Sequence, residues 1–258
     1  MTVAAPHRPQ TTGKPAITRD AKHRYTHLGI VYPGVTSLIK VLDKSDALMA
    51  WAARNTAEAA LAQVDAIPGM LTTSGHEATI RFLTARSGWK RDEAAAIGSD
   101  IHRLADVIAK SEDLPDMAPG IHRRVELYAE WWASSGWTVW LSEAYLVNVT
   151  LGYGGTLDLL ARDADGKTVL ADVKTGKNIY PETRLQLAAY AGAEWVAPPE
   201  SPTAYRMPAI DRTVVLHVTE DGVEVVEYQL DDADDAAFAA CIPLSAWRAA
   251  QKGGRSNA

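Results

Sequence analysis

Apolar positions in the first half of the chain recur every three or four residues. TSLIKVLDKSDALMAWAARNTAEAALAQV (36–64), SGHEATIRFLTARSG (74–88) and KRDEAAAIGSDIHRLADVIAK (90–110) all keep this spacing. Such a period places the apolar side chains on one side of a helix, and it predicts helices from about 35 to 110. PGIHRRVELYAEWWASSG (119–136) adds another, opened near Pro119 and stopped near Gly136. From 137 the period shortens. WTVWLSEAYLVNV (137–149), YGGTLDLLAR (153–162) and KTVLADVKT (167–175) are short, rich in β-branched or aromatic residues, and separated by Gly and Asp. They read as three strands. PETRLQLAAYAGAEWV (181–196) begins with a proline suited to a helix start. RTVVLHVTE (212–220) and VEVVEYQL (223–230) predict a hairpin across Glu220, Asp221 and Gly222. DDADDAAFAACIPLSAWRAAQ (231–251) predicts a last helix with acids at its positive end.

This order predicts an α/β (α+β) fold: a central mixed sheet of about five strands flanked by helices, with an N-terminal helical elaboration. Residues 1–22 are polar and rich in Pro and Thr, which predicts a disordered arm; 251–258 predict a flexible tail. Between them, 23–250 read as one domain, mainly helical over 23–136 and α/β over 137–250.

Composition narrows the chemistry. The 258 residues carry a net charge of −6, so no global basic field marks a nucleic-acid binder. Local patches and bound cations can still set the sign at a site. The single cysteine, Cys241, excludes an intrachain disulfide and a four-cysteine zinc or iron–sulfur site. No leader of signal-peptide type and no apolar run near 18 residues is present, so a cytoplasmic protein without membrane contact is expected.

The acids of GGTLDLLARDADGKTVLADVKTGK (154–177) stand out. Asp158 and Asp172 interrupt apolar runs, and DADG between them is a turn signal. The two lie symmetrically about position 165. If the strands pair across that turn, they face each other about 5 Å apart. Lys174 points to the same face as Asp172. Two close carboxylates repel unless a proton or cation lies between them, and a hard divalent ion accepts carboxylate and carbonyl oxygens, the carbonyl of Val173 included. Lys174 would orient water or stabilise developing negative charge. Together these suit phosphodiester hydrolysis. An Asp–Lys pair on an exposed strand is ordinarily a surface ion pair; the second acid at the mirror position favours function here. Glu143, mid-strand just upstream, is a candidate third acid if the register turns it inward. Lys177 and Arg184 flank the acids and are candidate phosphate contacts, although solvated cations are common in such places. Trp131, Trp132, Trp137 and Trp140 are read as core packing rather than base stacking. Gly166, Lys167 and Thr168 do not complete a nucleotide-binding loop, because Ala161 occupies its first glycine position.

Four motifs occur in order: Gly98 to His102 (G-x-x-x-H), Gly155 to Asp158 (G-x-x-D), Asp172 to Lys174 (D-x-K), and Gln186 to Tyr190 (Q-x-x-x-Y). This set resembles the PD-(D/E)XK nuclease superfamily, in particular its RecB-like exonuclease branch. YPGVTSLIKVL (32–42) is similar to the N-terminal motif of phage-encoded members. The resemblance implies a restriction-endonuclease-like core in a single nuclease domain. It implies Mg2+ or Mn2+ held by His102, Asp158, Asp172 and the Val173 carbonyl, with Lys174 as the catalytic lysine beside Asp158 and Asp172. Gln186 and Tyr190, one helical turn apart, would position DNA or the catalytic strand. Iron–sulfur members of this branch use four cysteines; with Cys241 alone the chain resembles the cluster-free, phage-type relatives. The implied activity is a DNA exonuclease of phage or bacterial recombination and repair, acting on linear ends or single strands, with a single-strand annealing or recombination protein as partner and the host cytoplasm as its place. A structure-specific endonuclease on the same core, or a non-catalytic DNA-binding accessory protein, are the other readings.

Overall fold

The computed structural model describes residues 10–11, 16–42, 45–117 and 119–253. It divides into two compact units. One comprises Met1–Leu42 with Ile101–Ala258; the other is Asp43–Asp100. The division therefore runs through the helical region rather than at 136, where the character of the sequence changes.

The chain begins with strands β1 (Gln10–Thr11), β2 (Ile17–Arg19), β3 (Arg24–His27) and β4 (Ile30–Pro33), then helix α1 (Val35–Ile39). Helices α2 (Ser45–Ala62), α3 (Ile67–Ser74) and α4 (His76–Ala109) follow, the last turns of α4 belonging to the first unit. A 3-10 turn at Pro119–Ile121 leads into α5 (His122–Ser135). Gly136 ends α5 at φ 69°, a left-handed value that glycine adopts without a Cβ penalty. Strands β5 (Thr138–Asn148), β6 (Tyr153–Arg162) and β7 (Thr168–Lys174) come next, then α6 (Glu182–Ala191), β8 (Trp195–Ala197), β9 (Thr203–Arg206), β10 (Arg212–Val218), β11 (Val223–Tyr228) and α7 (Asp232–Gly253).

The main sheet has eight strands in the order β1-β9-β8-β5-β6-β7-β10-β11. All its neighbours are antiparallel except β7 and β10, so the fold is mixed α/β, as the element order predicts. The five long strands lie where the alternation placed them. The additional ones are two to four residues long, too short for a period of two to show. The helix expected over 181–196 ends at Ala191, because Gly192 caps it and Trp195–Ala197 joins the sheet beside β5.

Residues 16–22 also differ from the expected arm. Ile17 is wholly buried, and β2, β3 and β4 form a separate three-stranded sheet. Ala16, Ile17, Tyr25 and Tyr32 from this region pack with Val147, Trp195, Ala197 and Ala204 of the main sheet. A larger core joins Val35 and Leu38 of α1, Leu187 and Tyr190 of α6 and Phe238 of α7 to Leu157, Leu160, Leu170 and Val215 of the sheet. Among the described residues no helix is long and apolar enough to cross a membrane.

Candidate functional site

The β6–β7 ladder has the symmetry expected of its turn. Leu159 pairs with Ala171, Leu160 with Leu170, Ala161 with Val169 and Arg162 with Thr168, so each pair mirrors about position 165. Gly166, at φ 78°, closes that turn. The next pair in the series is Asp158 and Asp172, but the ladder stops one step short of it. Val173 instead donates its N–H to Asp158 Oδ2 at 2.7 Å, the carboxylate taking the place of a backbone carbonyl.

The reason for the stop lies in β5 and β6. Leu141 and Ala144 are three apart, as are Leu157 and Leu160, yet all four enter the same buried cluster. A regular strand sends residues three apart to opposite faces. Both strands therefore lose their alternation between these positions. The flanking pairs are Ser142 with Leu159 and Ala144 with Leu157, which sets Glu143 opposite Asp158 at the break. Glu143 adopts φ 49°, an uncommon left-handed value for a side-chain-bearing residue. An extra residue at Trp140, between the Val139 and Leu141 pairings, sets this register.

Helix α4 meets the break. His102 Nδ1 lies 3.3 Å from Asp158 Oδ2 and 3.9 Å from Glu143 Oε1. One turn further on the same helix face, Asp106 accepts a hydrogen bond from Ser142 Oγ and pairs with Lys110 at 2.8 Å. Ser142 and Glu143 are consecutive, so both can face α4 only because the alternation fails there. One potential ligand atom each from His102, Glu143 and Asp158 lies within 4.8 Å of the others, a group able to hold a cation. A small, partly open pocket beside them is lined also by Asp106, Tyr128 and Val173.

Asp172 is held differently. Its side chain is 1% exposed. Lys174 Nζ lies 2.5 Å from Oδ2, and Gln186 Nε2 donates to Oδ1 at 2.9 Å. The same Gln186 contacts Tyr190 Oη at 3.1 Å and accepts from Lys174 Nζ at 3.3 Å. Asp172 Oδ2 is engaged by the lysine as an ion pair, at an angle outside ideal hydrogen-bond geometry. Gly155 admits Tyr190: a Cβ there would lie 2.7 Å from Tyr190 Cε1.

The charges are strongly coupled. Burial alone would lower the His102 pKa, but the Asp158 charge and hydrogen bond raise it to about 9. Burial and the Asp158 charge push Glu143 up to about 7, against His102 and, more weakly, Arg19. Burial and Asp158 raise Asp172 to about 6, against Lys174. Burial disfavours the Asp158 charge, yet His102, Lys174 and the Val173 N–H hold its pKa below the usual carboxylate value. For Lys174 burial is outweighed by Asp172 and Asp158, and its pKa rises. Glu143 and Asp172, unlike Asp158, are thus incompletely balanced by the positive charge around them, which fits a group that could take a cation.

The expected set is partly rearranged. His102, Asp158, Asp172, Lys174, Gln186 and Tyr190 come together. Glu143, left open by register, joins His102 and Asp158, while Asp172 lies with the lysine and the glutamine. Val173 donates its N–H to Asp158 and lines the pocket beside it. Arg184 turns away from a phosphate role: it donates to Asp234 Oδ1 and to the Gln229 carbonyl, both at 2.5 Å, tying α6 to the start of α7. Lys177 is exposed in the loop after β7, where His217 Nε2 meets the Gly176 carbonyl at 2.7 Å. Trp131 packs against Tyr128, Trp132 and Trp137, and Trp140 against Tyr205, but none of the four is buried and Trp140 is exposed, so they lie outside the expected core. Asp106 and Ser142 escaped sequence reasoning; the position of Asp106 four residues after His102 was the available signal. No family model and no curated protein matches the chain.

Proposed function

We propose that this protein is a metal-dependent deoxyribonuclease, an exonuclease that hydrolyses phosphodiester bonds at linear DNA ends. The observation that carries the reading is the junction of two groups through one short hydrogen bond. His102, Glu143 and Asp158 form a donor set of one imidazole and two carboxylates. Asp172, Lys174, Gln186 and Tyr190 form a connected chain beside it. The Val173 N–H joins the two at Asp158.

Oxygen and imidazole donors of this kind suit Mg2+ or Mn2+. When bound, such an ion supplies an activated water and neutralises charge on a phosphoryl oxygen. The chain's own residues do the rest. His102, Glu143 and Asp158 would hold the ion, and the Ser142–Asp106 hydrogen bond ties β5 to α4 beside them. Lys174 is a cation held by Asp172 and Gln186 and aimed from a fixed position, so it can hold the attacking water and offset negative charge as the phosphate becomes pentacoordinate. Gln186 fixes that lysine through its carbonyl and Asp172 through its amide. Recombination or repair in a phage or bacterial setting, the restriction-endonuclease-like classification of the core, and a recombination protein as partner all belong to this reading.

The test uses purified protein with end-labelled linear and covalently closed circular DNA in Mg2+, Mn2+ or EDTA. Stepwise loss of linear DNA alone, abolished by EDTA and by Lys174→Ala, supports the exonuclease. Cutting of the circle replaces it with an endonuclease. No cleavage in either metal, with DNA binding unchanged in Lys174→Ala, overturns the enzyme reading.

A further inference from the structure

Thr156 precedes Asp158 by two residues on β6 and shares its face, roughly 7 Å along the strand. The three-stranded sheet reaches this point. Tyr25 Oη and Thr156 Oγ1 share a hydrogen bond of 2.8 Å, and Arg19 Nη1 donates to the same Thr156 oxygen at 3.4 Å. Arg19 and Tyr25 are paired residues of the β2–β3 ladder, so guanidinium and phenol converge on one hydroxyl. Gly154 permits this approach, since a Cβ there would lie 2.6 Å from Tyr25 Cβ.

Arg19 is exposed, and among the described residues it forms no ion pair. Among the described residues its one hydrogen bond is to a neutral oxygen, which leaves most of its five N–H donors free, while its charge also acts on Glu143. Of the other cations beside the acids, Lys174 is committed to Asp172 and Gln186 and Arg184 to Asp234, while Lys177 lies exposed in the loop after β7. A polyanion approaching a cluster of acids on a chain of net charge −6 needs a cation beside the cluster that its own acids have not taken. A planar guanidinium fork matches two phosphate oxygens at once.

We propose that Arg19, with the Thr156 hydroxyl, forms a phosphate-binding subsite beside the His102–Glu143–Asp158 centre. It holds a nucleic-acid phosphate next to the one being cleaved. The inference rests on the proposed DNA hydrolysis and goes beyond it by assigning a substrate-positioning residue from the N-terminal sheet.

Two measurements test it. Steady-state cleavage of linear DNA compares wild type with Arg19→Ala and Arg19→Lys. Fluorescence anisotropy of a labelled duplex in Mg2+ compares Lys174→Ala with the double variant Arg19→Ala/Lys174→Ala across a salt series. Arg19→Ala is expected to raise KM roughly tenfold with kcat within about threefold. It is also expected to flatten the log Kd against log salt slope by about 0.9, the value of one lost phosphate contact on duplex DNA. Arg19→Lys should keep the slope while losing part of the affinity, because charge remains and the fork is gone. Thermal unfolding should not change. If wild type cleaves DNA and neither KM nor the slope responds to Arg19→Ala, the subsite falls and the hydrolase stands. If only kcat falls, Arg19 acts through Glu143 and the subsite again falls. If wild type neither cleaves nor binds DNA, both fall together.

Discussion

Glu143 and Asp158 stand opposite each other where β5 and β6 lose their alternation, and His102 of α4 lies within 4 Å of both, at 3.9 and 3.3 Å. The break turns two carboxylates towards one imidazole and ends the β6–β7 ladder beside Asp172. There the Asp158 carboxylate takes the place of the missing rung to Val173.

Metal affinity should follow this grouping. Glu143→Gln and Asp158→Asn each remove a member of the converging set and should weaken Mn2+ binding at least by the 10–100-fold, in order of magnitude, that loss of an outer partner costs. Asp172→Asn should weaken it less, since Asp172 is engaged by Lys174 and Gln186. Isothermal titration of the three variants checks the ranking; a larger loss for Asp172→Asn than for Glu143→Gln would return Asp172 to the ligand set.

Gln186 has a different expected signature. Gln186→Leu removes the amide that steadies both Lys174 and Asp172. A loosened lysine should cost roughly 100-fold in kcat, with Mn2+ affinity close to wild type. Single-turnover rates beside metal titration separate this from a change in metal binding.

Gly155 should tolerate no side chain. The Cβ of Gly155→Ala would meet Tyr190 Cε1 at 2.7 Å and Leu146 Cδ1 at 3.1 Å, both within the buried core. Overpacking of this kind costs about 1–3 kcal/mol, read as a lower urea midpoint. A midpoint equal to wild type would show that Tyr190 has room to move.

Away from the site, Arg212 bonds Asp163 at 2.7 Å and Glu227 at 2.8 Å. Burial works against the Asp163 charge, but Arg212 and two backbone N–H groups hold its pKa below the ordinary 3.8. The Arg212 hydrogen bond likewise holds Glu227 below the ordinary 4.5. A carboxyl whose folded pKa is depressed contributes stability above its unfolded pKa and loses it as pH falls through the folded one. Arg212→Leu should therefore be less stable than wild type at pH 7, and the gap should narrow once pH drops below about 4. Urea unfolding at the two pH values measures it; a gap independent of pH would assign the effect to packing.

The sequence alone determined the five long strands, the helical character of most of 35–110 and 119–136, and the mirror of Asp158 and Asp172. These rest on local physics: side-chain period, Gly and Asp at turns, and strand pitch counted from the turn at position 165. It also placed Gln186 and Tyr190 on one helical face. The short strands β2, β3, β8 and β9 were illegible, since three or four residues carry no readable period and Ile17 owes its place to Tyr25 and Trp195. Only the tertiary structure decided which acids share a centre. The left-handed turn at Glu143 follows the extra residue at Trp140 and adjoins the Ser142–Asp106 contact between elements far apart in sequence. That turn, and not the hairpin, brings Glu143 to His102 and leaves Asp172 to Lys174, because a strand's period fixes faces only while the strand remains regular.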